Sequence, residues 1–370
     1  MSKIESPADS GKTIALVAPV PPPNGGMSMQ AQKLRDRLGA EGLCVIFIPT
    51  NPDFPGFLKW CAGIPGVRTF VRFWIYLPHL FGIRHADVVH VFASSHLYFF
   101  ISVVPALVIG KVFGKRVIVN YRGGEAESFF NSWGRFAKPF FRFADEVVVP
   151  SEFLQDVFRR KLSLETEILP NIADTEVFTY RERDEFRPIL VVARQLEPIY
   201  GHETILKAFT RIQETFPEAS LQIAGSGSCY ETLVSRVEAL GLSGVDFLGT
   251  LSHRQLAEVY QSCDIMLNAS TADNFPGALI EAFLCGLPIV TTDAGGIPLM
   301  VEDQVNGLLV KPGDDQALAE AVTHLVRSPQ HGRQIAENGR RYAQAYQWSE
   351  IRRKIFRYYF PADEQGGEYV

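Results

Sequence analysis

The chain has 370 residues, of which 46% are hydrophobic and 21% charged. This composition is ordinary for a globular protein, and the length predicts two domains, each able to bury its own core. A net charge of −5 gives no electrostatic argument for nucleic-acid binding. The five cysteines are scattered and form no CxxC pair, which argues against a disulfide framework or a zinc site and indicates reduced, mostly core thiols.

The first half of the chain reads as one α/β domain. Residues 1–12 are polar and lack the apolar core of a signal peptide, so we expect a disordered tail and a cytoplasmic protein. From Thr13 onward, short β-rich apolar runs alternate with helical patterns, which is typical of βαβ units and a parallel sheet. The predicted strands read TIALVAP, LCVIFIP, ADVVHVFA, KRVIVNYRGG and ADEVVVPS.

Two apolar segments raise the question of membrane contact. Residues 97–114 are interrupted by Pro105 and Lys111 and fall short of the ~20 residues that span a bilayer, so we predict a buried helix. Residues 54–84 mix aromatic residues with Lys and Arg and contain no Asp or Glu. That composition suits a surface that contacts an anionic membrane, or else a core helix with an exposed basic flank.

The second half repeats the α/β pattern. The charged run TYRERDEFRP is the expected boundary between a first domain, 13–178, and a second domain, 179–345. We expect two tandem, doubly wound domains that face a cleft, with ligands at the carboxyl ends of the strands. The predicted strands of the second domain read ILVVAR, ASLQIAGSG, VDFLGT, DIMLNAS, LPIVTTDAGG and GLLV.

Two glycine loops precede predicted helices. Gly25, Gly26 and Ser28 would let backbone amides approach an anion at a helix N-terminus, although a tight turn between strand and helix also needs glycine. Gly225 and Gly227 stand in the same relation to a later helix. They lack the third glycine of the dinucleotide fingerprint and can equally form a turn.

Charged residues lie at the end of one predicted strand of the second domain and in the loop that follows another. Arg194 can grip a diphosphate by a bidentate contact, or lie solvated on the surface. Asp273 and Glu281 bracket a predicted helix that Pro276 opens, and the free N–H groups from Gly277 onward would point at a ligand.

Glu281 lies among apolar residues, where a charge is costly unless something binds it. It can accept hydrogen bonds from two neighbouring ribose hydroxyls, and Asp273 can bind a second sugar. Alternatively, Asp273 is a favourable charge near a helix N-terminus and Glu281 lies on an exposed face.

These stretches, in order, resemble the family-4 glycosyltransferases, which are retaining enzymes of the GT-B fold. The resemblance covers nearly all of residues 13–360 and implies a C-terminal helix, 346–360, that packs back on the first domain, followed by a tail, 361–370. It is carried by NGGMS, ADVVHVFASS, PSEFLQDVF, LPNIADTEVF, VVARQLEPIYGHETILKAF, LQIAGSGSCYETL, VDFLGTLSHRQLAEVYQSCDIMLNAS and DNFPGALIEAFLCGLPIVTTDAGG.

The family's signature is two glutamates separated by seven residues, and Asp273 and Glu281 match it. The resemblance implies that Glu281 binds the donor's ribose, Asp273 the transferred sugar and Arg194 the diphosphate, with Gly25 and Gly26 facing the diphosphate from the other domain. The further donor-binding positions that it implies are Ser28, Gly225, Phe247, Leu248, Leu251, Asn274, Phe275, Pro276, Gly277, Ala278 and Leu279.

Three positions depart from the family pattern. The first carboxylate is Asp273, which is one methylene shorter than glutamate. Tyr200 replaces a lysine that neutralises the diphosphate, and Arg122 replaces a histidine near the sugar. Our hypothesis is that Arg122 supplies the missing positive charge and that Glu125 contacts the acceptor or the sugar.

The resemblance implies transfer of a sugar from a UDP- or GDP-sugar to a hydroxyl of a glycan or lipid-linked acceptor, with retention of configuration. We expect electrostatic catalysis with no metal and no cofactor, in cell-surface polysaccharide biosynthesis. Peripheral membrane contact through residues 54–84 would place the protein at the inner face of the membrane. The alternatives are a non-catalytic nucleotide-sugar-binding protein and a nicotinamide-dependent oxidoreductase, for which the complete glycine fingerprint is missing.

Overall fold

The structure, a computed structural model, describes residues 11–21, 26–64 and 66–361. The chain forms two compact units, one from residues up to Ile172 and from Trp348 onward, the other from residues 173–347. Each unit contains a six-stranded sheet in which all neighbouring strands are parallel. This confirms the predicted pair of α/β domains.

The sheet of the first unit has the order β2-β1-β3-β4-β5-β6. Its five longer strands are the ones predicted from apolar runs, whereas β6 is only two residues long and gives no such signal. The strands are β1 (Thr13–Ala18), β2 (Cys44–Pro49), β3 (Val88–Ala93), β4 (Arg116–Tyr121), β5 (Glu146–Val149) and β6 (Glu167–Ile168).

Helices cover both faces of this sheet. One face packs against α1 and the opposite face against α2, α4, α5 and α6, because the strands are apolar on both sides. These helices, with a one-turn α3, are α1 (Gly26–Ala40), α2 (Val67–His79), α3 (His96–Tyr98), α4 (Val104–Val112), α5 (Ala126–Phe141) and α6 (Glu152–Leu162).

The apolar segment 97–114 folds as a helix packed on the sheet. α3 continues through a π-helical turn, Phe99–Val103, into α4. Phe99, Val103 and Leu107 are fully buried, which confirms the predicted buried helix. No helix among the described residues is both long and apolar enough to cross a bilayer.

Residues 54–84 contain both buried and exposed aromatic side chains, and their contact with a membrane stays a prediction. They form α2 between two 3₁₀ helices, Gly56–Gly63 and Leu80–His85. Tyr76 is buried in the core, whereas Phe70 and Trp74 on the same helix are 63% and 58% exposed. The segment therefore anchors itself through one apolar stripe and presents a second, aromatic stripe to solvent.

The second sheet has the order β12-β11-β10-β7-β8-β9, and all six predicted strands are confirmed. The strands are β7 (Ile189–Ala193), β8 (Ser220–Ala224), β9 (Val245–Gly249), β10 (Ile265–Asn268), β11 (Ile289–Thr292) and β12 (Leu308–Val310). The helices of this unit are α7 (His202–Thr215), α8 (Tyr230–Ala239), α9 (His253–Ser262), α10 (Gly277–Leu284), α11 (Asp315–Arg327) and α12 (Pro329–Ala343), with 3₁₀ turns at Pro198–Tyr200, Ile297–Leu299 and Gln344–Tyr346.

The boundary between the units differs from the expected one at 178/179. The backbone N–H of Ala173 already donates to the carbonyl of Tyr346 at 2.9 Å, and Phe178 is buried in the second unit's core. The charged run that follows is not a solvated linker, because Arg181 and Arg187 bind the fully buried Asp264. Charged residues in this run therefore tie it to the second unit.

The C-terminal helix α13 (Trp348–Tyr359) belongs to the first unit, as expected for residues 346–360. Trp348 donates its indole N–H to Glu41 at 2.8 Å, and Tyr359 lies 2.8 Å from the buried His90. Apolar residues of α13 complete the core on the α1 face of the sheet. Most of the expected tails, 1–12 and 361–370, lie outside the described residues.

The prediction that the cysteines are mostly core thiols is only partly right. Cys263 and Cys285 are buried and Cys229 is half-buried, all three as free thiols. Cys44 is exposed because it begins β2, which lies at the edge of its sheet.

Candidate functional site

The order of the second sheet brings two predicted site residues together. Arg194 follows β7 and Asp273 lies in the loop after β10, and these two strands are neighbours. The Arg194 guanidinium donates a hydrogen bond to the Asp273 carboxylate, and the two side chains are only 13% and 12% exposed. The carboxyl edge of this sheet therefore holds a largely buried ion pair.

The loop that carries Asp273 is fixed by its backbone. The N–H of Gly296 donates to the Asp273 carbonyl at 2.7 Å, and a Cβ at Gly296 would overlap the carbonyl oxygen of Asn274. Burial raises the pKa of the Asp273 carboxyl, while Arg194 and the backbone N–H groups of Phe275 and Asn274 oppose that rise. A rigid loop thus holds the carboxylate against its cation.

Besides its ion pair with Asp273, Arg194 also contacts Tyr200. The guanidinium lies 4.2 Å from the centre of the Tyr200 ring, in a cation–π contact. The Arg194 Nε is buried and has no hydrogen-bond partner among the described residues. Tyr200 therefore positions the Arg194 guanidinium, and the Arg194 Nε is a buried donor that no described group satisfies.

His202 stiffens the same loop. It begins α7 directly after Gly201, whose φ of 65° suits glycine. Its Nε2–H donates to the carbonyl of Gln195 at 2.8 Å, and burial lowers the pKa of its imidazole. A neutral, buried His202 thus fixes the chain that leads away from Arg194.

Helix α10 begins next to the ion pair. Pro276 is its N-cap residue and Gly277 its first helical residue, close to the predicted start. Leu279 and Ile280 are buried, whereas Glu281 and Ala278 are half-buried. Burial raises the pKa of the Tyr260 hydroxyl, and the nearby Glu281 raises it further. Glu281 is therefore half-buried and close to the buried Tyr260, so it does not lie on a fully exposed helix face.

The second glycine loop has a clear packing role. Gly225 has a φ of 151°, and a Cβ there would overlap the carbonyl of Arg194. Its N–H donates to the carbonyl of Gly249 at 2.8 Å. Glycine is therefore required where the ends of β7, β8 and β9 approach one another, which supports the turn interpretation.

The predicted base-pocket residues follow at the end of the sheet. Phe247 and Leu248 lie on β9, Leu251 follows it, and all three are half-buried. The Phe247 ring packs edge-on against Tyr230 at 5.6 Å between centres. Their strand lies two places from β7 in the sheet.

The remaining site residues belong to the first unit. Gly25 lies outside the described residues, Gly26 is the first residue of α1, and Ser28 is buried on that helix. A Cβ at Gly26 would meet no other atom within 4 Å, so packing in this unit does not require glycine there.

Arg122 lies at the end of β4 in a buried polar network. Its guanidinium donates to the side-chain oxygens of Asn120, at 3.0 Å, and Asn171, and it lies 5.0 Å from the centre of the Phe92 ring. Burial lowers the pKa of Arg122 to about 9. This network was not predicted, because its members are dispersed over the sequence.

The network has a fixed direction. Arginine can only donate, so the Asn120 oxygen accepts and its amide N–H donates to His90 Nε2 at 3.0 Å. His90 must then carry its proton on Nδ1 and donate it to the Tyr359 hydroxyl at 2.8 Å. The chain of bonds leads from Arg122 through two strands to α13.

A pH dependence of stability follows from His90. Burial, with a smaller effect of Arg122, lowers the pKa of His90 to about 3, whereas the unfolded value is about 6.5. Between these values only the unfolded chain takes up the proton, so the free energy of unfolding falls as the pH falls. The slope is at most about 1.4 kcal/mol per pH unit.

We expect urea unfolding, followed by circular dichroism across this pH range, to show a weaker pH dependence in a His90→Gln variant. The exposed His85 of the same unit is the control, and His85→Gln should leave the slope unchanged. Equal slopes for His90→Gln and the unaltered protein would contradict the assignment.

The structure also shows a site residue that the sequence analysis missed. His96 follows β3, lies 2.9 Å from the Glu125 carboxylate, and has a φ of 56°. A positive φ at a residue other than glycine costs about 1–3 kcal/mol and is often found at functional sites. The sequence did contain one indication of His96 as a candidate site residue, because it follows the carboxyl end of a predicted strand.

Among the described residues, no group of three or more His, Cys, Asp or Glu could hold a metal ion.

Residues 175–342 match the family model described as Glycosyl transferases group 1. The matched segment is slightly less than half of the chain. Arg194, Asp273 and Glu281, with the loops around them, lie inside it. The segment therefore contains the largely buried ion pair at the carboxyl edge of the second sheet.

Two curated relatives are similar in sequence to this chain, one over most of its length and the other over about half of it. An uncharacterized glycosyltransferase of Methanocaldococcus jannaschii is 24% identical over 71% of this chain and 72% of that protein. The D-inositol 3-phosphate glycosyltransferase of Mycobacterium tuberculosis is 28% identical over 49% of this chain and 40% of that protein. The match thus spans less than half of the mycobacterial relative.

Solved structures share the fold. Sucrose-phosphate synthase from Thermosynechococcus elongatus has a TM-score of 0.75 at 20% identity, over 94% of this chain and 98% of that one. HepE of Anabaena, solved in complex with UDP-glucose, has a TM-score of 0.67 at 21% identity, over 93% and 98%. These likenesses confirm the GT-B class of two Rossmann-like α/β domains.

Proposed function

We propose that this protein is a retaining glycosyltransferase that moves a sugar from a nucleoside diphosphate sugar to an acceptor hydroxyl. The observation that supports it most is the buried Arg194–Asp273 pair beside Glu281 and the start of α10, inside the segment that matches the group 1 glycosyltransferase model. Similar structures include one bound to UDP-glucose, which favours a UDP-sugar as the donor.

Each charged group has a role in this proposal. Arg194 and the N-terminal N–H groups of α10 bind the diphosphate and stabilise the negative charge that develops on it. Glu281 accepts hydrogen bonds from the ribose, and Asp273 from hydroxyls of the transferred sugar. Because Asp273 already binds Arg194, it also orients the guanidinium before the donor arrives.

In the proposed reaction, the bond between the anomeric carbon and the diphosphate oxygen breaks as the acceptor oxygen bonds to the same face of the sugar. The acceptor's proton passes to the departing phosphate oxygen. The transition state has oxocarbenium character, so no enzymatic nucleophile is required, and electrostatic stabilisation of the leaving group supplies the catalysis.

We place the acceptor at the first unit. His96 lies after β3, and Glu125 lies after β4, three residues beyond Arg122. This pair offers a hydrogen-bond donor and an acceptor to a sugar hydroxyl. The exposed aromatic side chains of residues 54–84 favour a lipid-linked acceptor at the inner membrane face, as in assembly of a cell-surface polysaccharide.

The test is a thermal-shift screen of the protein against UDP-, GDP- and ADP-sugars, with NAD as the comparison. A ligand at about 100 times its Kd adds about 2.7 kcal/mol of stability, so the cognate donor should raise the Tm by several degrees. Release of nucleoside diphosphate from that donor should follow when a cell membrane extract is added as the acceptor source.

Three other results of this screen would each contradict a different part of the proposal. Stabilisation by NAD alone would favour the oxidoreductase alternative. Stabilisation by a nucleotide sugar without any release of nucleoside diphosphate, with or without extract, would favour a non-catalytic binding protein. No stabilisation by any nucleotide sugar would overturn the proposed donor site.

A further inference from the structure

The first unit exposes an unusual number of large apolar side chains. Of the fifteen such side chains in the described part of the chain, eleven lie between residues 60 and 143. We call them the aromatic face, since Trp and Phe predominate. Its members are Trp60, Ile64, Val67, Phe70, Trp74, Phe81, Leu97, Val112, Trp133, Phe136 and Phe143.

These side chains come from neighbouring helices on one side of the first sheet. The Tyr76 hydroxyl of α2 donates to the carbonyl of Ser102 at 2.7 Å, which ties α2 to the helix of residues 96–112. The Trp133 ring of α5 packs on Phe100 of that same helix at 6.0 Å between centres. α2 and α5 therefore both pack on one helix, and Trp133 and Phe136 of α5 add exposed apolar side chains to those of residues 54–84.

The same part of the chain is strongly basic. Residues 54–144 contain eleven Lys and Arg but only three Asp and Glu, in a chain whose net charge is −5. Three of these cations do not act as free surface charge, because Lys111 pairs with Asp145, Arg116 pairs with Glu146, and Arg122 is held in the buried network. The remaining basic residues still outnumber the acids. Of these three acids, Glu125 pairs with His96, and Glu127 with Arg160 and Lys161. Arg135 lies 5.2 Å from the centre of the Phe136 ring, so exposed cations stand directly beside exposed rings.

We propose that the aromatic face docks on an anionic lipid bilayer, with α5 contributing as much as α2. Aromatic rings favour the interface between headgroups and acyl chains, and basic side chains bind anionic headgroups at about 1 kcal/mol each. A second copy of the chain fits this surface poorly, because two like-charged faces repel each other. The inference deepens the membrane contact that the proposed function assigns to residues 54–84 by adding α5, and none of these residues lies in the proposed donor site.

The test is co-sedimentation of the full chain with vesicles of phosphatidylcholine, with and without phosphatidylglycerol. We expect binding to the anionic vesicles at low salt, loss of that binding at high salt, and little binding to phosphatidylcholine alone. Three of the four tryptophans, Trp60, Trp74 and Trp133, lie on the face. Their fluorescence should therefore shift to the blue on binding.

Substitutions on α5 and in the turn after it measure how much this helix contributes to vesicle binding. Trp133→Ala with Phe136→Ala, and separately Arg135→Glu with Arg142→Glu, should each weaken binding roughly tenfold or more. Tyr230→Ala with Leu299→Ala is the matched apolar control, because these side chains are 44% and 48% exposed on the second unit. Arg341→Glu is the charge control. Since all the altered side chains are exposed, circular dichroism should be unchanged.

Three results would overturn the proposal. In the first, both α5 variants bind anionic vesicles as well as the unaltered protein does. In the second, the unaltered protein binds neutral and anionic vesicles equally. Size-exclusion chromatography could instead show a dimer that Trp133→Ala with Phe136→Ala converts to a monomer, which would make the face a contact between copies. The vesicles contain neither donor nor acceptor, so these outcomes are independent of whether the protein transfers a sugar.

Discussion

Replacing Arg194 with glutamine is expected to lower the rate of nucleoside diphosphate release by about 10²–10³-fold and to weaken donor binding. The guanidinium is the buried cation at the edge of the second sheet, and its Nε has no other partner there. In the proposed reaction, its loss leaves the charge that develops on the diphosphate without its main side-chain donor. Calorimetric titration of the donor and an assay of nucleoside diphosphate release measure the two effects.

Two further variants make this result interpretable. Arg211, which pairs with Asp315 on the exposed surface of the same unit, is the control, and Arg211→Gln should change neither measurement. Arg194→Lys keeps the charge beside Asp273 and therefore the fold, but it cannot form a bidentate contact and should still lose most activity. Activity of Arg194→Gln within a few-fold of the unaltered protein would remove Arg194 from the proposed site.

Replacing Arg183 with methionine is expected to destabilise the second unit by about 3–5 kcal/mol. Its fully buried guanidinium donates to the carbonyls of Tyr260, Cys263 and Cys285 at 2.8–3.1 Å, among others, and lies 3.5 Å from Asp264. Burial lowers the pKa of Arg183 to about 10, which leaves it charged at neutral pH. Methionine would leave these acceptors buried without their donor.

The melting temperature, measured by calorimetry, checks this expectation. The matched control is a second arginine that binds the same Asp264 carboxylate. Arg187 also binds Asp264, at 2.9 Å, but its side chain is 60% exposed. Arg187→Met should therefore cost only about 1 kcal/mol or less. If the two variants melted at the same temperature, the segment of residues 179–188 would not be anchored through Arg183.

Much of the fold follows from local patterns. The apolar runs before Arg194 and before Asp273 predict two buried parallel strands, and both residues do end up at the carboxyl edge of a sheet. Hydrophobic periodicity is a property of neighbouring residues, so it can be read from any short window. The spacing of Asp273 and Glu281 around a helix start is local in the same sense.

The pairing of charged residues cannot be predicted from a short sequence window, because the partners are distant in the chain. TYRERDEFRP has the composition of a linker, yet Arg183 within it is buried, because Asp264 and several carbonyls are brought to it from distant parts of the chain. The network from Arg122 to Tyr359 likewise joins β3, β4 and α13. A polar residue is stable in the interior only when its partners are in place.

The sequence by itself determined the two α/β domains, the strands that precede Arg194 and the loop of Asp273, and the aromatic, basic character of residues 54–84. Only the tertiary structure decided that Arg194 pairs with Asp273 and stacks on Tyr200, that His96 lies next to Glu125, and that α5 exposes aromatic side chains as α2 does. The physical reason is the same throughout. The type of an element depends on neighbours along the chain, whereas burial, pairing and exposure depend on residues that only folding brings together.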